Sequence, residues 1–259
     1  MIVRLDLAYD GTGFHGWAAQ PGVRTVQGVL EDALARVLGE RPRLSVAGRT
    51  DAGVHAEGQV ASFAAPDGAD PARVARAVNA MLGPEVVALR ARRAPEGFDA
   101  RRSATGREYR YRIDTAPVPD PFTARFVWHH PGGLAVARMR RAASHLVGEH
   151  DFASFCRVPD PPAGTVRRLR SLSVAVAGRE VRVRARADAF LHQMVRSLVG
   201  TLVAAGEGRL DPDALPAVLA ARSRAAAGPV APPQGLALVR VVYGRPAGGP
   251  ARRGGRAAR

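Results

Sequence analysis

The sequence predicts a mixed α/β chain (α+β in its details): two tandem ferredoxin-like βαββαβ halves flanking a basic cleft. Three observations predict it. Alternating apolar runs and runs of helical spacing follow one another in the order β-α-β-β-α-β. The same order recurs in the second half of the chain. The charge balance is strongly basic, with 38 Lys+Arg against 23 Asp+Glu and a formal net charge of +15. A surplus of that size suits a surface that meets a polyanion.

In the first half, residues 1–104, Val3, Leu5, Leu7 and Tyr9 alternate as in a strand. Thr25 opens a helical pattern of Val26, Leu30, Leu34, Val37 and Leu38. Strands are expected near 43–47 and 57–64. Asp70 reads as an N-cap with Pro71 at the first helical position, for a helix to about Leu82. Gly83-Pro84 closes it, and 86–93 reads as a strand. The second half, residues 105–244, begins with a strand over 107–114 and a helix from about Leu134 to Val147. Strands over 169–177 and 180–187 flank a turn at Gly178. A long helix is expected from about Ala189 to Ala205, a shorter one over 212–221, and a closing strand over 236–243. A loop over 156–168 contains Pro159, Pro161 and Pro162. The tail, 245–259, is rich in Arg, Gly, Ala and Pro, has no apolar pattern and reads as disordered.

Composition excludes several classes. The 259 residues suffice for one large or two small cores. No stretch approaches the roughly 18 uncharged apolar residues of a membrane span. The opening MIVRLDLAYDG carries charges within its alternation and does not read as a secretory signal. Cys156 is the only cysteine, which rules out a disulfide within the chain and argues against a Cys-based zinc site. A cytoplasmic protein is expected. Every basic residue other than His is arginine. Without lysine there is neither a P-loop nor a Schiff-base amine. The missing lysine fits a compositional bias toward Ala, Gly, Pro and Arg; the excess of bases over acids does not follow from that bias. His129-His130, His145 and His150 lack metal-ligand spacing, so no metal is expected.

The segment Gly48-Arg49-Thr50-Asp51-Ala52-Gly53-Val54-His55-Ala56 concentrates glycines, bases and a single carboxylate between two expected strands. Glycines permit tight turns and close approach of a substrate. Read alone, Asp51 fits either a turn residue bonded to its own backbone or a catalytic carboxylate. The run, continued through Gly58, Gln59 and Val60, resembles the signature of the tRNA pseudouridine synthase A (TruA) family. Further family-like segments follow in order. They are Tyr9-Asp10-Gly11, Phe14-His15-Gly16-Trp17, Thr25-Val26-Gln27, Phe98-Asp99-Ala100-Arg101, Ser103-Ala104-Thr105, Tyr109-Arg110-Tyr111, Asp151-Phe152-Ala153-Ser154-Phe155 and Phe190-Leu191-His192-Gln193-Met194-Val195-Arg196. The resemblance covers about residues 1–243.

The resemblance implies a catalytic cleft in which uridine is isomerised to pseudouridine at tRNA positions 38–40. The reaction needs no cofactor. The N1–C1′ bond breaks, the uracil turns and C5 joins C1′. Asp51 would be the nucleophile, with attack at ribose C1′, attack at uracil C6 and a glycal route all left open. The base must be extruded from its stack. Arg49 matches the family arginine that intrudes into the RNA, and Tyr109 the tyrosine that stacks on the uracil. Arg196 matches the arginine that pairs with the catalytic carboxylate; His192, one turn earlier, fits either a place in the same cleft or a structural role. The resemblance also implies a homodimer with tRNA bound across both subunits. From the residues alone, Arg196 beside the apolar stripe Leu191, Met194, Val195, Leu198 and Leu202 needs a partner or must reach solvent. Tyr109 shares a strand face with Tyr111 and Ile113, which equally suits a core residue. Three basic runs are candidate RNA contacts: Arg182, Arg184 and Arg186; Arg138, Arg140 and Arg141; and Arg167, Arg168 and Arg170. The competing reading is a non-catalytic RNA-binding or RNA-folding protein on the same scaffold.

Overall fold

The structure is a computed structural model that describes residues 1–157 and 164–244. Residues 158–163 of the proline-containing loop, with all three of its prolines, and the whole Arg-rich tail therefore lie outside the described residues.

Strand β1 (Ile2–Tyr9) buries every second residue, as its alternation requires. Helix α1 (Val26–Leu38) starts where the Thr25 hydroxyl accepts from the Gly28 amide at 3.2 Å and stops at Gly39, which has φ 82°. A two-residue strand β2 (Ser45–Val46) and the long β3 (His55–Ala64) follow. Helix α2 (Pro71–Leu82) is capped by Asp70, whose carboxylate accepts from the amides of Ala72 and Arg73. Strand β4 (Val86–Arg93) closes the first series. The second comprises β5 (Ala104–Asp114), β6 (Trp128–His129), α3 (Val136–Ser144), β7 (Gly148–Asp151), β8 (Val166–Ala177), β9 (Glu180–Ala187), α4 (Met194–Gly206), α5 (Leu215–Ala220) and β10 (Leu236–Tyr243).

The ten strands among the described residues belong to one sheet, ordered β4-β1-β3-β10-β5-β9-β8-β7, with β2 on β3 and β6 on β5. The pairings are antiparallel except β3–β10 and β5–β6. The two series are thus not separate bodies facing each other. They share a sheet, joined where Ala237 pairs with His55 and Leu238 with Ala56. That seam lies four residues past Asp51, so the topology places the Gly48–Ala56 segment where the two series meet.

The elements depart from expectation in three places. Helix α4 begins at Met194 rather than near Ala189. Gln193 has φ 61° and ψ 6°, a left-handed conformation that no helix interior contains, and it turns the chain into the helix from an irregular segment, 189–193. His192 consequently lies ahead of the helix, not on it. Strands β6 and β7 were not expected, and polar sequences such as Gly148-Glu149-His150-Asp151 carry no apolar alternation to announce them. Strand β2 is also shorter than the 43–47 expected.

Candidate active site

The segment between β2 and β3 is held by polar contacts at nearly every residue. The Gln59 amide, fully buried, donates to the Gly48 carbonyl at 2.7 Å and to the Tyr9 hydroxyl at 3.2 Å. The Tyr9 hydroxyl lies 2.8 Å from the Thr50 hydroxyl. Burial pushes the Tyr9 phenol up to about 12, so it stays protonated and keeps both contacts at neutral pH. The Trp17 amide donates to the Thr50 carbonyl, the Gly53 amide to Phe14 and the Val54 amide to Asp51 itself. Gly11 and Gly16 are there because nothing larger fits. A Cβ on Gly11 would stand 2.1 Å from the Val54 carbonyl oxygen, and one on Gly16, at φ 87°, 2.8 Å from that of Thr50.

At the far end of the segment His55 is buried. The Gly11 amide donates to its Nδ1 at 3.0 Å, and its Nε2 lies 2.9 Å from the Arg125 carbonyl. This pair of contacts selects the neutral tautomer protonated at Nε2. Burial also holds the imidazole pKa below its usual value, against the pull of Asp10.

Asp51 itself projects into a cleft of about 1690 Å³ whose lining includes eight arginines and, besides Asp51, one other carboxylate. Its side chain is 22% exposed. Arg196, in the first turn of α4, donates from Nη1 to Asp51 Oδ2 at 3.1 Å. The same guanidinium donates from Nε to the Ala231 carbonyl at 2.8 Å, and the Ala231 amide donates back to the Arg196 carbonyl. The arginine is therefore aimed by the backbone before it meets the carboxylate. His192, half-exposed, places Nε2 3.4 Å from the other carboxylate oxygen.

Tyr109 enters the cleft from β5. Its ring is 7% exposed and meets Phe190 edge to face, with centroids 5.1 Å apart. Burial, then the neighbouring Tyr9 and Asp51, push its hydroxyl well above the ordinary phenol range. That hydroxyl has no hydrogen-bond partner among the described residues, so it is a neutral donor facing the cleft. Arg49 is exposed, lines the cleft and donates no hydrogen bond among the described residues. All five residues singled out from the sequence, Arg49, Asp51, Tyr109, His192 and Arg196, line this one cleft.

Comparison with known proteins bears on the whole chain. The family model described as tRNA pseudouridine synthase matches residues 7–101 and 142–244. The chain belongs to the tRNA pseudouridine synthase family. Curated relatives named tRNA pseudouridine synthase A agree. One from Frankia casuarinae is 51% identical over 93% of this chain and 89% of its own. One from Moorella thermoacetica is 45% identical, and one from Geotalea uraniireducens 43%, each over 93% of this chain and 99% of its own. A chain of a solved Cbf5-Nop10-Gar1 complex overlaps with a TM-score of 0.35 at 16% identity, over 78% of this chain and 45% of that one, too slight an overlap to argue from.

The synthase fold also depends on a residue the sequence reading passed over. Arg107, 9% exposed, donates to the carbonyls of Ala47, Arg101 and Asp188, at 2.7, 3.0 and 2.8 Å. It ties the entry of the Asp51 segment to β5 and to the end of β9. Its signal was its strand parity: it falls on the same face as Tyr109, Tyr111 and Ile113, where an arginine must be internally bonded. Of the basic runs, Arg138, Arg140 and Arg141 are engaged internally. They bond the carbonyls of Ala205 and Leu210, the carbonyl of Val174 and the carboxylate of Asp213 respectively. Arg167 lines the cleft, and Arg182, Arg184 and Arg186 stand exposed on β9. Among the described residues no helix is long and apolar enough to cross a membrane, and no three His, Cys, Asp or Glu side chains gather as metal ligands.

Proposed function

We propose that this isomerase converts uridine to pseudouridine in the anticodon stem-loop of tRNA, at positions 38–40, with Asp51 as nucleophile. The observation that carries the reading is the Arg196–Asp51 pair at the floor of a basic cleft. An aimed guanidinium fixes the orientation of the carboxylate and leaves it one oxygen free of strong bonding. The reaction is an internal rearrangement. The N1–C1′ bond breaks, the C5–C1′ bond forms, the C5 proton leaves and a proton is taken up at N1. No redox partner or group donor enters the balance, so no cofactor is required.

The surrounding residues divide the remaining work. The cleft arginines neutralise phosphates and supply most of the affinity. Arg49, which donates no hydrogen bond among the described residues, fills the gap left by the extruded base. Tyr109 supplies the stacking face, and its neutral hydroxyl lies near the reacting carboxylate. His192 borders the substrate beside Asp51. The two series, 1–104 and 105–244, act as ferredoxin-like halves that contribute the nucleophile and its arginine respectively. The working form is a cytoplasmic homodimer that binds tRNA across both subunits.

Asp51→Asn tests the reading. Pseudouridine formation on unmodified tRNA is expected to vanish, with tRNA affinity and melting temperature near wild type. A purified variant with near wild-type turnover would sink Asp51 as nucleophile. A wild-type protein that binds tRNA and forms no pseudouridine would favour the non-catalytic RNA-binding reading.

A further inference from the structure

We propose that the sheet face opposite Tyr109 carries a second RNA-binding surface, a groove across β5 and β9 that seats a phosphodiester backbone. The inference rests on the reading of this protein as one that acts on RNA, and it concerns a face that does not line the catalytic cleft.

Successive strand residues point to opposite faces. Tyr109 and Tyr111 are buried on one side of β5, so Arg110 and Arg112 project from the other. On β9, Val181, Val183 and Ala185 are buried, and Arg182, Arg184 and Arg186 are exposed. The register sets Arg110 directly opposite Arg184 and Arg112 directly opposite Arg182. The four side chains line a groove of about 210 Å³ with no other lining residue.

Like charges directly opposite on an antiparallel pair destabilise it. Two such pairs in succession are what a sheet avoids unless something anionic lies between them. The protein compensates only in part. Glu180 bonds Arg112 and Arg182, and Glu57 bonds Arg110 from the side. Arg184 and Arg186 make no ion pair or side-chain hydrogen bond among the described residues. The arrangement is also a ladder. Residues two apart on a strand repeat at about 6.7 Å, close to the step between successive phosphates along a nucleic-acid strand. A lone phosphate would need one rung. Arg182 and Arg184, each opposite an arginine, provide two, and the exposed Arg186, opposite Glu108, extends the row along β9, which favours a polyanionic strand as occupant.

The test is tRNA affinity measured across a salt series for three full-length proteins. These are wild type, Arg184→Gln/Arg186→Gln, and Arg73→Gln/Arg76→Gln, which removes the same charge from exposed positions on α2. Loss of two phosphate contacts is expected to flatten the log–log salt slope of the β9 variant by roughly 1.4 to 1.8. Its affinity at low salt should fall several-fold, and the α2 variant should keep the wild-type slope. A wild-type slope in the β9 variant overturns the proposal. So does an equal change in both variants, which would report total charge only. So does a changed sedimentation mass of the free β9 variant with its salt slope intact, which would make the face a contact between copies of the chain. A pseudouridine assay on the same wild-type sample is read separately. Absence of product beside a flattened slope counts against the proposed reaction and not against this surface.

Discussion

The cleft is closed from two sides that are built differently. The segment bearing Asp51 is bonded to Tyr9, Gln59, Phe14, Trp17 and, through Ala47, Arg107; two glycines let its neighbours approach to contact. The segment bearing His192 and leading into Arg196 sets Phe190 edge-on to Tyr109, accepts the Arg157 amide at the His192 carbonyl and turns through a left-handed Gln193. The nucleophile side is bonded at nearly every residue; the arginine side is bonded at fewer points, Arg196 to Ala231 and the His192 carbonyl to the Arg157 amide. A carboxylate fixed in advance loses little to reorganisation when charge develops near it.

The largest effect should come from removing the tie that over-determines the first side. Arg107→Ala leaves four backbone carbonyls, those of Ala47, Arg101, Ala104 and Asp188, without this donor at buried and partly buried places. A loss of about 4 kcal/mol is expected, seen as a melting temperature lower by roughly 8–16 °C for a chain of this size. A variant that melts within a degree or two of wild type would mean that the segment does not depend on this arginine.

Tyr109 sits between the two sides and should give the next effect. The structure makes it both a buried ring and a cleft residue, so Tyr109→Ala is expected to cost about 3 kcal/mol in stability and to lose turnover. Tyr109→Phe keeps the ring against Phe190 and should keep tRNA affinity and melting temperature, while turnover falls through loss of the neutral hydroxyl near Asp51. Melting curves and single-turnover rates on both variants check this. Full activity in the Phe variant would leave Tyr109 with a packing role alone.

Much of this was legible before the structure. Period and capping placed β1, α1 and α2 nearly to the residue, because Thr25 and Asp70 are chemical caps and not just patterns. The Gly48–Ala56 segment and Arg196 were visible through resemblance, and the seam between β3 and β10 explains why residues 145 apart meet. What stayed hidden depended on partners distant in sequence. The internal bonds of Arg138, Arg140 and Arg141 look, in sequence, the same as a solvated basic run. The short β7 is specified by its pairing with β8, not by its own residues. The start of α4 was misplaced because Phe190 and Leu191 continue the apolar spacing of the helix even though the chain turns at Gln193.

That turn yields the smallest effect and the sharpest probe of the weaker side. A non-glycine residue in the left-handed region costs about 1–2 kcal/mol. Gln193→Gly removes the cost in the folded state and adds about 0.5–1 kcal/mol of chain freedom to be lost on folding. The two nearly cancel, so the glycine variant should melt within about 2 °C of wild type. Gln193→Val, with a branched Cβ in the same conformation, should melt several degrees lower. Stability and activity should then separate. Glycine lets residues 189–193 sample other conformations, and the Arg196–Asp51 pair forms less of the time. Turnover is expected to fall several-fold while tRNA affinity, which comes from arginines elsewhere in the cleft, stays close to wild type. A glycine variant with unchanged turnover would show that the loosely built side needs no fixed turn to present Arg196. The unequal construction of the two sides would then carry no weight in the reaction.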